Sequence, residues 1–215
     1  MNPLKINRMT LSAAVWGAIA PDGITPMPLP DDEGLQIQAD YQTGSLTAMD
    51  MGELRAIANY FRPVSVAEVG TYIGRSTKAL AAGMRQGVIY TCDASNDIRL
   101  GDIGVALEQF PKTTSTQMFR KLIDWPCEEQ FVFKKQHIDC FYIDGRLSPD
   151  DVDLMCELNP NALIILDDFE GVEKGVANAT LFLSSRFSPH ILVYPRLGGK
   201  TALMIHPNML RFVAQ

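Results

Sequence analysis

Chemistry in this sequence is carried by carboxylates that close apolar runs. Glu68 lies in the run Val64–Val69 and is followed by Gly70 and Gly74, giving Glu68-x-Gly70-x-x-x-Gly74. An apolar run, a glycine turn and a helical pattern together present backbone N–H groups to a nucleotide-like ligand. A pyrophosphate cradle needs G-x-G-x-x-G, and here Thr71 fills the slot of the second glycine, which disfavours NAD. An acid beside a wider loop suits a ligand with a positive centre and no phosphate, such as S-adenosylmethionine. Asp93 closes the next run, Val88–Cys92. A carboxylate there can accept from two ribose hydroxyls at once, or serve only as a loop acid or helix cap. Asp144 follows Ile138–Ile143, and Asp167 and Asp168 follow Ala162–Leu166.

The elements that must position these acids alternate between strand and helix. Helical spacing over Met49–Phe61 stops at Pro63, and the strand carrying Glu68 comes next. A helix is expected over Ser76–Met84, a second strand over Val88–Cys92, a helix over Ile103–Phe110 and a weak third strand near Pro111–Thr114. Further helices are expected over Thr116–Asp124, from Pro149, and over Val172–Ser185. Strands are expected at Ile138–Ile143, Ala162–Leu166, Ile191–Tyr194 and Thr201–Ile205, the last two joined by the turn Pro195–Gly199. This order predicts an α/β fold, a mainly parallel sheet with helices on both faces and an antiparallel closing hairpin. Ligands of such sheets bind at the carboxyl ends of the strands, where all five acids would sit.

The chain has 215 residues, which suits one domain (49–215) preceded by a helix and Pro-rich lid (1–48). Its net charge of −6, with no basic run beyond isolated pairs, excludes a nucleic-acid footprint. Cys92, Cys127, Cys140 and Cys156 have no metal-type spacing and read as reduced, structural thiols. Lys5 and Arg8 before an apolar segment imitate a secretory signal, but Pro21 is a poor cleavage position. An amphipathic helix capped by Thr10 and stopped by Pro21 is the expectation, and with it a cytoplasmic protein. No apolar run reaches membrane-spanning length, so no membrane partner is expected.

Glu68-Val-Gly70-Thr-Tyr72-Ile-Gly74-Arg-Ser76 resembles the first motif of catechol O-methyltransferase-like enzymes, and Ile143-Asp144-Gly145 with Leu166-Asp167-Asp168 resembles signatures of the macrocin-type O-methyltransferases. The resemblance to these class I S-adenosylmethionine-dependent methyltransferases covers about residues 50–206. It implies a Rossmann-like seven-stranded sheet of order 3-2-1-4-5-7-6, the cofactor S-adenosylmethionine and a homodimer. Glu68, Gly70, Tyr72, Gly74 and Ser76 would surround the methionine part of the cofactor, Asp93 would hold its ribose, and Ser115 would lie near the adenine. Asp144 would either help to orient the cofactor or, with Asp167 and Asp168, hold a divalent cation. Converging carboxylates repel one another without a cation, and oxygen ligands suit Mg²⁺.

The sequence departs from these families where a general base is expected: Arg146 and Leu147 follow Ile143-Asp144-Gly145. Lys174, Glu170 or His190 could serve instead, or the metal could lower the pKa of the acceptor hydroxyl. Arg146 is either a clamp for an anionic acceptor or an exposed loop residue. His137 and His206 read as structural and surface residues. The function expected is methyl transfer to a small-molecule acceptor, at a hydroxyl oxygen. Metal-independent N- or carboxyl-methylation and a non-catalytic cofactor-binding protein are the alternatives.

Overall fold

The computed structural model describes residues 8–28, 46–95, 99–127, 132–133 and 135–212. Seven strands form one sheet: β1 (Ser65–Val69), β2 (Val88–Asp93), β3 (Ala106–Pro111), β4 (Cys140–Ile143), β5 (Leu163–Leu166), β6 (Ile191–Val193) and β7 (Ala202–Ile205). In this numbering the order is β3-β2-β1-β4-β5-β7-β6, parallel from β3 to β5, with β7 antiparallel to both β5 and β6. The expected architecture and strand order are therefore present. A two-residue ladder, Pro126–Cys127 against Val132–Phe133, stands apart.

Strand alternation divides the core into two faces. Phe141 and Ile143 of β4 pack with Ile164 and Leu166 under α4 (Ser115–Ile123), α5 (Pro149–Leu158) and α6 (Ala177–Leu183). Cys140 and Tyr142 face the other way, with Ile165 and Leu203, under α1 (Arg8–Ile19), α2 (Ala48–Phe61) and α3 (Arg75–Gly83). Every residue of β1, β4 and β5 is buried, which is why those segments read as continuous apolar runs rather than alternating ones.

Local sequence sets the helix ends. Thr47 and Asp50 form a capping box at the start of α2, Thr114 and Gln117 do so for α4, and Ser148 and Asp151 for α5, where Pro149 takes the first turn. Arg62 ends α2 in the left-handed conformation (φ 52°) just before Pro63.

Several boundaries differ from expectation. Residues 106–111 are a strand rather than the end of a helix. The sequence predicts a helix over Ile103–Phe110 and a strand only near Pro111–Thr114, yet β3 is an edge strand whose exposed positions carry Glu108 and Ala106. The expected helix over 172–185 is a π-helical turn, Val172–Val176, running into α6. The first helix begins at Arg8, so Thr10 lies inside it and does not cap it. That helix docks on β6: the Trp16 indole donates to the Tyr194 carbonyl at 2.8 Å, and the Tyr194 N–H donates to Ser12 Oγ at 3.0 Å. Residues 24–27 run against α2, where Gly52 leaves room for the Thr25 carbonyl; a Cβ on Gly52 would stand 2.3 Å from it. The rest of the Pro-rich lid, residues 29–45, lies outside the described residues. No helix among the described residues is long and apolar enough to cross a membrane.

Candidate active site

The strand-end acids meet at the carboxyl edge of the sheet. β1 ends at Val69, and Gly70 (φ 98°) turns the chain toward Asp144 at the tip of β4; the Asp144 N–H donates to the Val69 carbonyl at 2.9 Å. A Cβ on Gly70 would lie 2.9 Å from the Asp144 carbonyl oxygen, so the close approach of the two strand tips requires glycine. Gly74 (φ 79°) then opens α3. Tyr72 also has a positive φ, 45°, uncommon for an aromatic residue.

Glu68 holds this turn from beneath. Its carboxylate is fully buried and accepts from Ser76 Oγ at 2.5 Å and Thr77 Oγ1 at 2.6 Å. Burial raises its pKa, against the pull of those hydroxyls. Glu68 thus lies under the loop, bound to Ser76, and Ser76 itself lines a small hollow with Gly70, Tyr72, Asp144, Leu46 and Arg75. Asp93, at the tip of β2, accepts from the N–H groups of Tyr72 (2.8 Å) and Ser95 (2.9 Å). Ser115 is the first residue of α4, just after β3, on the same edge.

Asp144, Asp167 and Asp168 come together as expected: one oxygen from each lies within 4.8 Å of the others. Two lysines share them. Lys174, on the π-helical turn, donates to Asp144 Oδ1 and, at 2.9 Å, to Asp168 Oδ2. Lys200 donates to Asp168 Oδ1 at 2.9 Å and stands 3.5 Å from Asp167 Oδ2. Burial pushes the Asp144 carboxyl up to about 7, reinforced by Asp167 and opposed by Lys174. Asp167, 2% exposed, is raised by burial against Lys200, whereas the lysine hydrogen bonds outweigh burial at Asp168 and lower it. Asp167 Oδ1 and the Tyr142 hydroxyl are both buried without a hydrogen bond among the described residues.

Lys200 was not legible as a site residue. The edge rule for parallel strands says nothing about a hairpin loop, and it is the antiparallel β7 that returns this loop to the carboxyl edge. The signal available was the Gly198-Gly199-Lys200 turn. That loop is held by Arg196, which donates to the buried Glu53 of α2.

Other expectations fall elsewhere. Arg146 is exposed and pairs with the equally exposed Glu173 at the rim. His190 lies away from the site: its ring sits between the carbonyls of Phe187 and Ala162, and Ala162 leads into the amino end of β5. That removes it as a base for chemistry at the carboxyl edge. A larger cavity of about 910 Å³ opens at the opposite edge, near His137, Asp139 and His206, remote from the glycine turn.

No model of a protein family matches the chain, and no curated protein matches it. Solved structures do match. PaMTH1, a methyltransferase from Podospora anserina with S-adenosylhomocysteine bound, superposes with a TM-score of 0.54 at 13% identity, over 96% of this chain and 98% of its own. An O-methyltransferase from Bacillus cereus, also with S-adenosylhomocysteine, gives 0.52 at 18% identity over 89% and 96%. TomG, the O-methyltransferase of tomaymycin synthesis from Streptomyces achromogenes, in complex with S-adenosylmethionine, gives 0.53 at 17% over 91% and 96%. The chain has the class I methyltransferase fold. In this methyltransferase fold the turn from β1 to α3, the tip of β2 and the tips of β4 and β5 share one edge.

Proposed function

We propose that the chain is an S-adenosylmethionine-dependent methyltransferase that acts on an oxygen of a small-molecule acceptor. The observation that carries this reading is the Gly70–Gly74 turn, set between Asp93 and Asp144 at the carboxyl edge of a methyltransferase-type sheet. Carboxylates at that edge suit ribose hydroxyls and a cationic ligand, and among the described residues the turn's N–H groups at Gly70, Thr71, Tyr72 and Gly74 are spent within the protein rather than gathered into a pyrophosphate cradle.

In this reading Asp93 holds the ribose and Ser115 borders the adenine. The Gly70–Gly74 turn, anchored by Glu68 on Ser76 and Thr77, flanks the methionine part. The acceptor sits over Asp144, Asp167 and Asp168, beside Leu46. The sulfonium is already an activated methyl donor, so the protein's contribution is to align the acceptor oxygen behind the methyl group and control charge around it. Lys174, an ammonium donating to Asp144, is the side chain best placed to hydrogen-bond the acceptor oxygen and balance the charge that develops there. Arg146, paired at the rim, is a candidate for contacting an extended acceptor rather than the reacting atoms.

A second reading adds a divalent cation, favoured by the three converging carboxylates and the unpartnered Asp167 Oδ1. Asp144, Asp167 and Asp168 would hold it, and bound there it would lower the pKa of an acceptor hydroxyl.

Calorimetric titration with S-adenosylhomocysteine tests the cofactor site. Binding should weaken by about ten-fold or more in Asp93→Ala, equivalent to about 1.4 kcal/mol or more. Absence of binding to the unaltered protein would remove the methyltransferase reading.

A further inference from the structure

We propose that the positive charge at Asp144, Asp167 and Asp168 is supplied by the chain itself, through Lys174 and Lys200, and that this pair occupies the place a divalent cation would take. The catalytic meaning of this proposal rests on the methyl-transfer reading; its structural content does not. Asp168 accepts a lysine on each oxygen, Lys174 on Oδ2 and Lys200 on Oδ1, both at 2.9 Å. Lys174 also donates to Asp144, and so spans the two acids of the cluster that are not fully buried. Lys200 stands 3.5 Å from the buried Asp167. With all three acids ionised, the two ammonium groups leave one excess negative charge, where the acids alone would have three.

A hard ion such as Mg²⁺ needs its oxygen ligands at about 2.0–2.1 Å in near-octahedral array. Asp144 Oδ1 and Asp168 Oδ2 already accept from the Lys174 ammonium and Asp168 Oδ1 from Lys200, so an ion drawing on those oxygens would have to displace a lysine against direct repulsion.

Both lysines are held in place by backbone. Lys174 belongs to a π-helical turn that packs against the strand tip because Gly175 has no side chain; a Cβ there would lie 2.4 Å from Phe169 Cα and 2.8 Å from the Asp168 carbonyl oxygen. The Lys200 carbonyl accepts from the Phe169 N–H at 2.9 Å, which fixes the hairpin loop to the segment that follows Asp168. An ammonium has three donors, and Lys174 uses two of them on Asp144 and Asp168. The third remains for an acceptor oxygen, giving the site a hydrogen-bonding cation in place of a Lewis acid.

The test is Mn²⁺ titration followed by the electron paramagnetic resonance signal of the free ion, on the full chain with and without S-adenosylhomocysteine. The unaltered protein should leave the free-ion signal undiminished. Lys174→Met, which keeps an unbranched side chain one atom shorter and removes its charge, should bind Mn²⁺ at least about ten-fold more tightly than the unaltered protein. That gain should disappear in Lys174→Met combined with Asp167→Asn. Lys200→Met provides the same comparison if Lys174→Met does not fold. Tight Mn²⁺ binding by the unaltered protein, abolished by Asp167→Asn, would overturn the proposal, as would no gain of binding in a folded lysine variant. Failure of S-adenosylhomocysteine to bind would instead strike the methyl-transfer reading and leave the Mn²⁺ result standing.

Discussion

Gly70 concentrates two constraints in one residue. Its φ of 98° is strained for any residue with a side chain, and a Cβ would press on the Asp144 carbonyl oxygen at 2.9 Å. Backbone strain of this kind costs about 1–3 kcal/mol, and here the atom in the way is main chain, which cannot swing aside. Gly70→Ala should therefore lower stability by about 2–3 kcal/mol in urea denaturation and weaken S-adenosylhomocysteine binding by moving Asp144. A variant with unchanged midpoint and affinity would show that the turn is not held by this contact. Residue positions were legible where a residue type answers a backbone requirement or ends a buried run, as with Gly70, Asp93, Asp144 and Asp167. They were not legible where partners come from distant chain. Glu68 faces Ser76 and Thr77 instead of the hollow, and Lys200 completes an acid cluster from a hairpin loop.

Among the elements, the π-helical turn Val172–Val176 has the most influence on the site, because it carries Lys174 to Asp144 and Asp168. Such turns displace side chains from ordinary helical register and recur at functional sites. Gly175→Ala would drive a methyl group into Phe169 Cα at 2.4 Å, so the turn must move outward or the strand tip must give way. A loss of about 1–3 kcal/mol is expected from overpacking of this order, measurable as a lowered denaturation midpoint. An unchanged midpoint would mean that the turn is free to shift. Nothing in Val172-Glu-Lys-Gly-Val176 distinguishes a π turn from ordinary helix by periodicity, which is why the sequence predicts one continuous helix there. The edge strand β3 was obscured for a related reason. Strands buried on both faces announce themselves as apolar runs, but Ala106-Leu-Glu-Gln-Phe-Pro111 is half exposed, and Gln109 uses its side-chain amide to bind the backbone of Leu100.

At the scale of the whole molecule, buried acids govern the response to pH. Glu53, Glu68, Asp144 and Asp167 have pKa values raised chiefly by burial, Asp144 to about 7. In the unfolded chain these groups release their protons near the ordinary 3.8 to 4.5, whereas the folded chain retains them to higher pH. Between those limits the native state binds more protons, so stability falls as pH rises, by at most about 1.4 kcal/mol per pH unit for each group. Asp168, lowered, acts oppositely and only toward acid. The urea midpoint should therefore be higher near about pH 5 than near about pH 8, and Glu68→Gln should make that profile shallower. A midpoint that rises with pH over this range would contradict the account. The docking of α1 on β6 has a kinetic consequence of its own. Trp16 can find the Tyr194 carbonyl only after 178 further residues have been made. During synthesis from the amino end, the apolar face of Val15, Trp16 and Ile19 therefore stays uncovered until almost the whole sheet exists. The first helix of the chain is among the last pieces to be seated, and its indole is a built-in optical reporter of the moment when folding closes.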